Sequence, residues 1–308
     1  AFALLRSEGM SAGLDPAGEI MLLISSAAIT VSTGISGDGW GGEADALVVP
    51  GIVLCFGFHS DSQDTLLRQM LESEAPSPFL ALWPALWVQS TAQLRILAEK
   101  LARESFKARS SPLDASLWYI LARQPGKLAA LFKASRDEKI ASFLGRDFEG
   151  DETARVSARK NGFSLVSKQQ LLAAAAFFLL GQAVTEAVNL IALNMREPHL
   201  ALLVVRLAAR SPDEKEKLVR GVILDTILPA AEAAGDRGLQ HLCLFRLQEL
   251  GAASAVLWSD EEASKLRGIS PGQGASGGGG ARGGLLARLE AEEEAEQDLT
   301  INAASGAS

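Results

Sequence analysis

The chain has 308 residues, 48% of them hydrophobic and only 6% aromatic, with a formal net charge of -8. That length supports a sizeable core in one or two domains, and an acidic balance without a long Lys/Arg block excludes nonspecific nucleic-acid binding, which needs a basic face. Two distant cysteines (Cys55, Cys243) and three scattered histidines (His59, His199, His241) exclude a disulfide framework and a clustered zinc site, and point to a reducing compartment.

The chain opens without a recognisable signal peptide, because Arg6 and Glu8 interrupt its apolar residues. Residues 1–58 then read as a β-rich segment. "EIMLLISSAAITVS" from Glu19 and "ALVVPGIVLCFGF" from Ala46 are apolar and partly β-branched, which predicts strands. The glycine-rich stretch between them predicts a loop. Within it "GDGWGG", Gly37–Gly42, matches the spacing of a dinucleotide-binding turn. Such a turn must open a helix whose amino end holds the pyrophosphate. Here a strand-like segment with Pro50 follows, so the stretch reads as a hairpin loop.

After Phe58 the pattern becomes helical. Ser60, Ser90, Ser135, Ser167 and Ser211 are each followed three residues later by Gln or Glu, the arrangement of a capping box. The apolar periodicity predicts helices over 61–73, 91–108, 113–123, 126–134, 136–145, 152–166, 168–180, 183–195, 198–210, 212–234 and 236–249. Gly181, Gly235 and Gly251 suit helix ends, and Pro229 predicts a kink or split in its helix. Short turns imply that sequential neighbours pack antiparallel. The expected fold is mainly α: an α-solenoid of antiparallel helix hairpins over 59–260, preceded by a few strands. Residues 261–308 read as a Gly/Ser-rich linker and an acidic, largely disordered tail.

The stretch "SKQQLLAAAAFFLLGQAVTEAVNL", residues 167–190, raises the question of a membrane. Its unbroken apolar run, Leu171 to Leu180, is half the length a membrane helix needs. Gln182, Thr185, Glu186 and Asn189 fall on one helical stripe, so 183–195 reads as a helix with one wet side packed on an interior helix over 168–180. The next helix is read the same way, with His199, Arg206 and Arg210 on one side and Leu200, Leu203, Val204 and Leu207 on the others.

No catalytic set assembles in the sequence. Asp151/Glu152 and Asp213/Glu214 stand at predicted helix starts, where carboxylates favour the positive end of the dipole. No G-x-S-x-G elbow and no G-K-S/T phosphate loop occurs. The chain is expected to be no enzyme and to need no cofactor or metal. The basic cluster Arg155, Arg159, Lys160 and Lys168 is the candidate partner-binding site, with a merely solvated helix face as the alternative.

Seven segments in order carry a family resemblance: "CFGFHSDSQDTLL" at 55, "LWVQSTAQLRILAEKLARESF" at 86, "SPLDASLWYILAR" at 111, "DEKIASFLGRDF" at 137, "ARKNGFSLVSKQQLLAAAAFFLLG" at 158, "EPHLALLVVRL" at 197 and "ILPAAEAAGDRGL" at 227. Over residues 52 to 258 the chain resembles the helical region of the DmX-like/rabconnectin family, whose fungal member is the large subunit of the RAVE complex. It departs from that pattern at Ala154, at Ser167–Gln170 and at Gly238. The resemblance implies a scaffold that promotes assembly of the vacuolar-type proton-pumping ATPase and hence organelle acidification. The implied partners are peripheral-sector subunits of that V-ATPase and RAVE-type adaptor subunits. The implied location is cytoplasmic, with peripheral recruitment to endosomal or vacuolar membranes and no transmembrane segment. It also implies WD-repeat β-propellers ahead of the helices, of which the expected strands before Phe58 would be the end. A vesicle-coat or tethering solenoid unrelated to the pump is the alternative.

Overall fold

The computed structural model describes residues 13–22, 24, 51–71, 80 and 82–257. Every regular element among them is helical. Residues 16–22 form α1. There follow α2 (Gly51–Phe58), α3 (Gln63–Leu71), α4 (Pro84–Trp87), α5 (Thr91–Arg109), α6 (Ser116–Leu121), α7 (Pro125–Ala134) and α8 (Glu138–Leu144). The series continues with α9 (Glu152–Ser167), α10 (Leu171–Leu180), α11 (Val184–Asn189), α12 (Pro198–Ala208), α13 (Pro212–Val222), α14 (Leu228–Ala234), α15 (Arg237–Arg246) and α16 (Leu250–Leu257). Single π-helical turns, Leu190–Asn194 and Ile223–Ile227, extend α11 and join α13 to α14. The described residues all fall within one compact unit, which ends at Leu257. Residues 258–308, and with them the expected linker and tail, lie outside the described residues, as do the "GDGWGG" loop and most of the first expected strand.

The strand expectation fails where it is visible. Residues 16–22 and 51–58 are helical. "GIVLCFGF" is an apolar run too short for its period to separate strand from helix. Tertiary packing decides it: Gly51, Val53, Leu54, Cys55, Gly57 and Phe58 are all buried. Helix α2 packs along α15, far away in sequence, and α4 lies against α2, α12 and α15. A stack of hairpins touches only its neighbours, so these contacts depart from the simple solenoid expected. The α2–α15 approach needs glycine on both sides. A Cβ on Gly51 would stand 2.0 Å from Leu239 N, and one on Gly238 would stand 2.1 Å from Ile52 N.

A polar anchor ties the first helix to this body. Asp15 accepts hydrogen bonds from Ser60 Oγ (2.7 Å), Ser62 Oγ (2.9 Å), Asp61 N (3.0 Å) and Gly18 N (2.9 Å). Burial opposes ionisation of this carboxyl, yet the bonds from Ser60, Gly18, Asp61 and Ser62 bring its pKa down to about 2.

The predicted helices are present, and two of the five serine caps are as expected. Ser90 accepts from Gln93 N (3.4 Å) and Ser211 from Glu214 N (3.0 Å). Elsewhere aspartate does this work: Asp137, Asp151 and Asp236 cap α8, α9 and α15. Pro229 acts as predicted. It lacks the N–H an α-helix needs there, and the π-turn Ile223–Ile227 lies just before it.

Six helices end in one geometry. A residue at or just after the C-cap takes a left-handed conformation at Arg123, Arg136, Gln169, Gln182, Gly235 and Gln248. In each case two amides turn back, as where Arg136 N donates to Lys133 O and Asp137 N to Phe132 O. That is the Schellman arrangement. The next residue already starts the following helix, so a one-residue joint sets each corner. Only Gly235 is free of the Cβ penalty. Replacing the exposed Arg136 with glycine should therefore raise stability by about 0.5–1 kcal/mol, the relieved strain less the entropy of the unfolded glycine. Denaturant titration of Arg136→Gly against its parent checks this.

The greasy segment is core. Ala174, Ala175 and Ala176 are wholly inaccessible, and Phe177 and Phe178 nearly so. Helix α10 packs against α9, α6 and α11. Phe177 stacks on Phe143 at 5.8 Å, and Phe178 meets Phe163 edge-on at 5.0 Å. Gly162 admits Phe178, since a Cβ there would lie 2.8 Å from that ring. Burying each such phenylalanine or leucine contributes roughly 1.5–3 kcal/mol. The stripe Thr185, Glu186 and Asn189 is exposed as expected, with Gln182 half-buried. Among the described residues no helix is long and apolar enough to cross a membrane.

Candidate partner-binding site

The predicted basic cluster lies on α9 and its end. Asp151 starts this helix by accepting from Thr153 N, and Ala154, Ala158 and Gly162 face inward. That register leaves Val156, Lys160 and Phe163 together on the outer side, at four- and three-residue spacing. Phe163 is 60% exposed, a large apolar group in water although its ring edge touches Phe178.

The four basic residues do not act alike. Arg155 Nε donates to Glu152 Oε2 (2.7 Å) and its Nη1 to Glu149 O (2.7 Å). Arg159 Nη2 donates to the other Glu152 oxygen (2.6 Å). Those two guanidinium groups brace the start of α9, and they hold the Glu152 carboxyl below its usual range. Lys160 and Lys168 are exposed, and no ion pair among the described residues engages them. The charge available to a partner is therefore that of Lys160 and Lys168, with Phe163 and Val156 as apolar contacts.

A second basic site escapes a reading of the sequence. Arg206 does not share a solvent face with Arg210. Its Nη1 donates to Ala85 O (2.7 Å) and also to Val88 O, and its Nη2 donates to Gln89 O (2.8 Å). Arg246 Nε donates to Leu86 O (2.8 Å), and its guanidinium lies 5.3 Å from the Phe58 ring centroid. Two arginines from α12 and α15 thus satisfy the carbonyls that α4 leaves open at its C-terminal end. Burial, with Arg246 nearby, pushes the Arg206 pKa down to about 9. The signal is present in "LCLFRL", where a cation interrupts a buried apolar run and so needs acceptors.

His199 also departs from the wet-face reading. It sits beside Trp83, 5.6 Å between ring centroids, and burial pushes its pKa down to about 4. Its Nε2 lies 3.2 Å from Glu197 Oε2. Burial lowers the pKa of the ring and raises that of the Glu197 carboxyl, so the site disfavours an ion pair between them. Cys55 and Cys243 are buried free thiols, and burial pushes Cys55 up to about 12, far from a nucleophile's range. Among the described residues no group of three or more His, Cys, Asp or Glu is placed to hold a metal ion.

Known proteins resemble this chain over the same helices. The family described as RAVE protein 1 C terminal matches residues 52–265. DmX-like protein 1 of Mus musculus is 31% identical over 214 residues, covering 65% of this chain and 7% of that protein. The Homo sapiens DmX-like protein 1 is 31% identical over 182 residues, covering 57% and 6%. The Saccharomyces cerevisiae protein named Regulator of V-ATPase in vacuolar membrane protein 1 is 25% identical over 161 residues, covering 48% and 11%. The chain thus spans a small part of the length of these relatives. With a match running from Ile52 in α2 past the last described helix, the chain belongs to the RAVE protein 1 C-terminal family.

Proposed function

We propose that this chain is a non-enzymatic scaffold segment of a RAVE-like complex, promoting assembly of the vacuolar-type proton-pumping ATPase. The observation that carries the reading is the family match over residues 52–265, joined by a yeast relative named for regulating that ATPase. A scaffold that grips two partners at once raises their effective concentration. Peripheral-sector subunits of the pump and an adaptor subunit are the partners, met on the cytoplasmic side of endosomal or vacuolar membranes. Lys160 and Lys168 offer charge to an acidic partner surface, with Phe163 as the apolar anchor at its centre. Arg155 and Arg159 act indirectly, by holding the first turns of α9.

The test is co-purification of pump subunits with the tagged 308-residue chain. Peripheral-sector subunits should be recovered, and the triple variant Lys160→Glu, Phe163→Ser, Lys168→Glu should reduce their recovery at least fivefold while melting within a few degrees of the parent. Recovery of vesicle-coat components without pump subunits would overturn the reading. Undiminished recovery with the variant would move the partner site off α9.

A further inference from the structure

The carbonyl-capping arginines line one side of a cavity of about 360 Å³. Helix α13 supplies the other side with Lys215 and Arg220, and Glu216 is the one carboxylate in the lining. Four cations therefore face a single acid. No ion pair among the described residues neutralises Arg206, Lys215, Arg220 or Arg246. Arg246 Nη2 is buried and has no hydrogen-bond partner there. An unpartnered buried guanidinium nitrogen is costly, and mutual repulsion adds to it: burial and the charges of Arg206 and Arg246 both lower the pKa of Lys215. The rest of the wall mixes apolar Leu202, Val219 and Ile223 with the amides of Gln89 and Gln248. Cations on one part of the wall and hydrocarbon on another describe a site for an organic anion.

We propose that the cavity between α4, α12, α13 and α15 binds a small organic ligand bearing two or more phosphate groups, held by Lys215 and Arg220 with Arg246 lining the wall beside them. Size and charge together select this class. The volume is that of a small-molecule site. An excess of about three positive charges within it calls for a compact polyanion, and two phosphates supply that where an acidic peptide needs three side chains and an open groove. Arg206, already committed to three carbonyls, contributes its field. The proposal does not depend on the scaffold reading, since ligand binding is measured without any pump subunit.

The same chemistry is found in a free metabolite and in a lipid headgroup. The 308-residue chain is titrated calorimetrically with inositol 1,4,5-trisphosphate in about 0.15 M salt. In parallel it is sedimented with phosphatidylcholine vesicles carrying either phosphatidylinositol 4,5-bisphosphate or charge-matched phosphatidylserine. Saturable one-to-one binding of the soluble probe, weakened at least tenfold by Lys215→Gln with Arg220→Gln, supports the site with a free ligand. Binding confined to bisphosphate vesicles, with the same tenfold loss, supports it with a headgroup. The double variant relieves repulsion, so its melting temperature should hold or rise. Absence of saturable binding to either probe, binding unchanged in the double variant, or equal sedimentation with phosphatidylserine overturns the proposal. So does tighter binding of a hexaglutamate peptide than of the trisphosphate.

Discussion

Replacing Gly238 with alanine should destabilise the protein by at least about 3 kcal/mol, against the usual sign for such a change in a helix. Helix propensity alone favours alanine over glycine by about 1 kcal/mol. Here the added methyl would stand 2.1 Å from Ile52 N and 2.4 Å from Gly51 C. Those are backbone atoms, which no rotamer change moves aside. The two helices must part, and the contact they share is held at Asp236, which accepts from Gly51 N (2.8 Å) and caps α15 by accepting from Leu239 N (3.0 Å). Gly51→Ala attacks the same contact from the other side, with its Cβ 2.0 Å from Leu239 N. The double variant should therefore cost little more than either single one. Gly126→Ala is the control. Nothing lies within 4 Å of its Cβ, so propensity acts unopposed and stability should rise slightly. Urea titration followed by far-ultraviolet circular dichroism measures all four. If Gly238→Ala stays within about 0.5 kcal/mol of the parent, the docking of α2 on α15 is wrong; a loss of about 3 kcal/mol is a large share of a typical total of roughly 5–15 kcal/mol.

That contact also shows where the sequence stops being legible. Local signals locate the helices after Phe58, because periodicity and capping are properties of neighbours in the chain. They locate the ends less well. Ser135 has the spacing of a cap, whereas it closes α7 and Asp137 opens α8. The corner between them needs a left-handed residue, and Arg136 supplies it without the glycine that would announce it. The segment 51–58 reads as strand but folds as helix because its identity is set by α15, almost two hundred residues later. No local rule distinguishes a buried eight-residue helix from a buried strand. The greasy segment is legible, since a ten-residue apolar run followed by a polar stripe fits only an interior helix beside a half-wet one.

The candidate site divides along the same line. Composition finds the basic residues on α9, but it does not tell a cation that braces its own helix from one that is free. Glu152 decides that, by taking Arg155 and Arg159. The cavity between α4, α12, α13 and α15 is invisible in the sequence because its cations come from three separate helices. Spacing within any one of them reads as an ordinary amphipathic pattern. Arg206 resembles a surface residue in sequence, and although the setting of Arg246 signals a need for acceptors, only the fold brings the carbonyls of α4 within reach of the two guanidinium groups.

Arg206→Met is expected to remove about 1–3 kcal/mol, the range for leaving buried acceptors without their donor. The methionine keeps much of the apolar stem's packing, so the loss reports the guanidinium. Three carbonyls, of Ala85, Val88 and Gln89, lose their donor at once. They belong to the C-terminal end of a helix only four residues long, Pro84–Trp87, which has little internal hydrogen bonding to sustain it. Trp87 is wholly buried there, its Nε1 donating to Leu82 O (2.7 Å). Loss of the cap should therefore be seen first as a change in tryptophan fluorescence. Arg206→Lys retains the charge but reaches fewer carbonyls, and should recover less than half of the loss. Arg246→Met alone should cost less, because its guanidinium has one carbonyl partner, Leu86, and one nitrogen with none. The ordering Arg206→Met, Arg206→Lys, Arg246→Met, from most to least damaging, is read from urea midpoints. If Arg246→Met proved the worst of the three, Arg246 rather than Arg206 would be the residue that holds α4 in place.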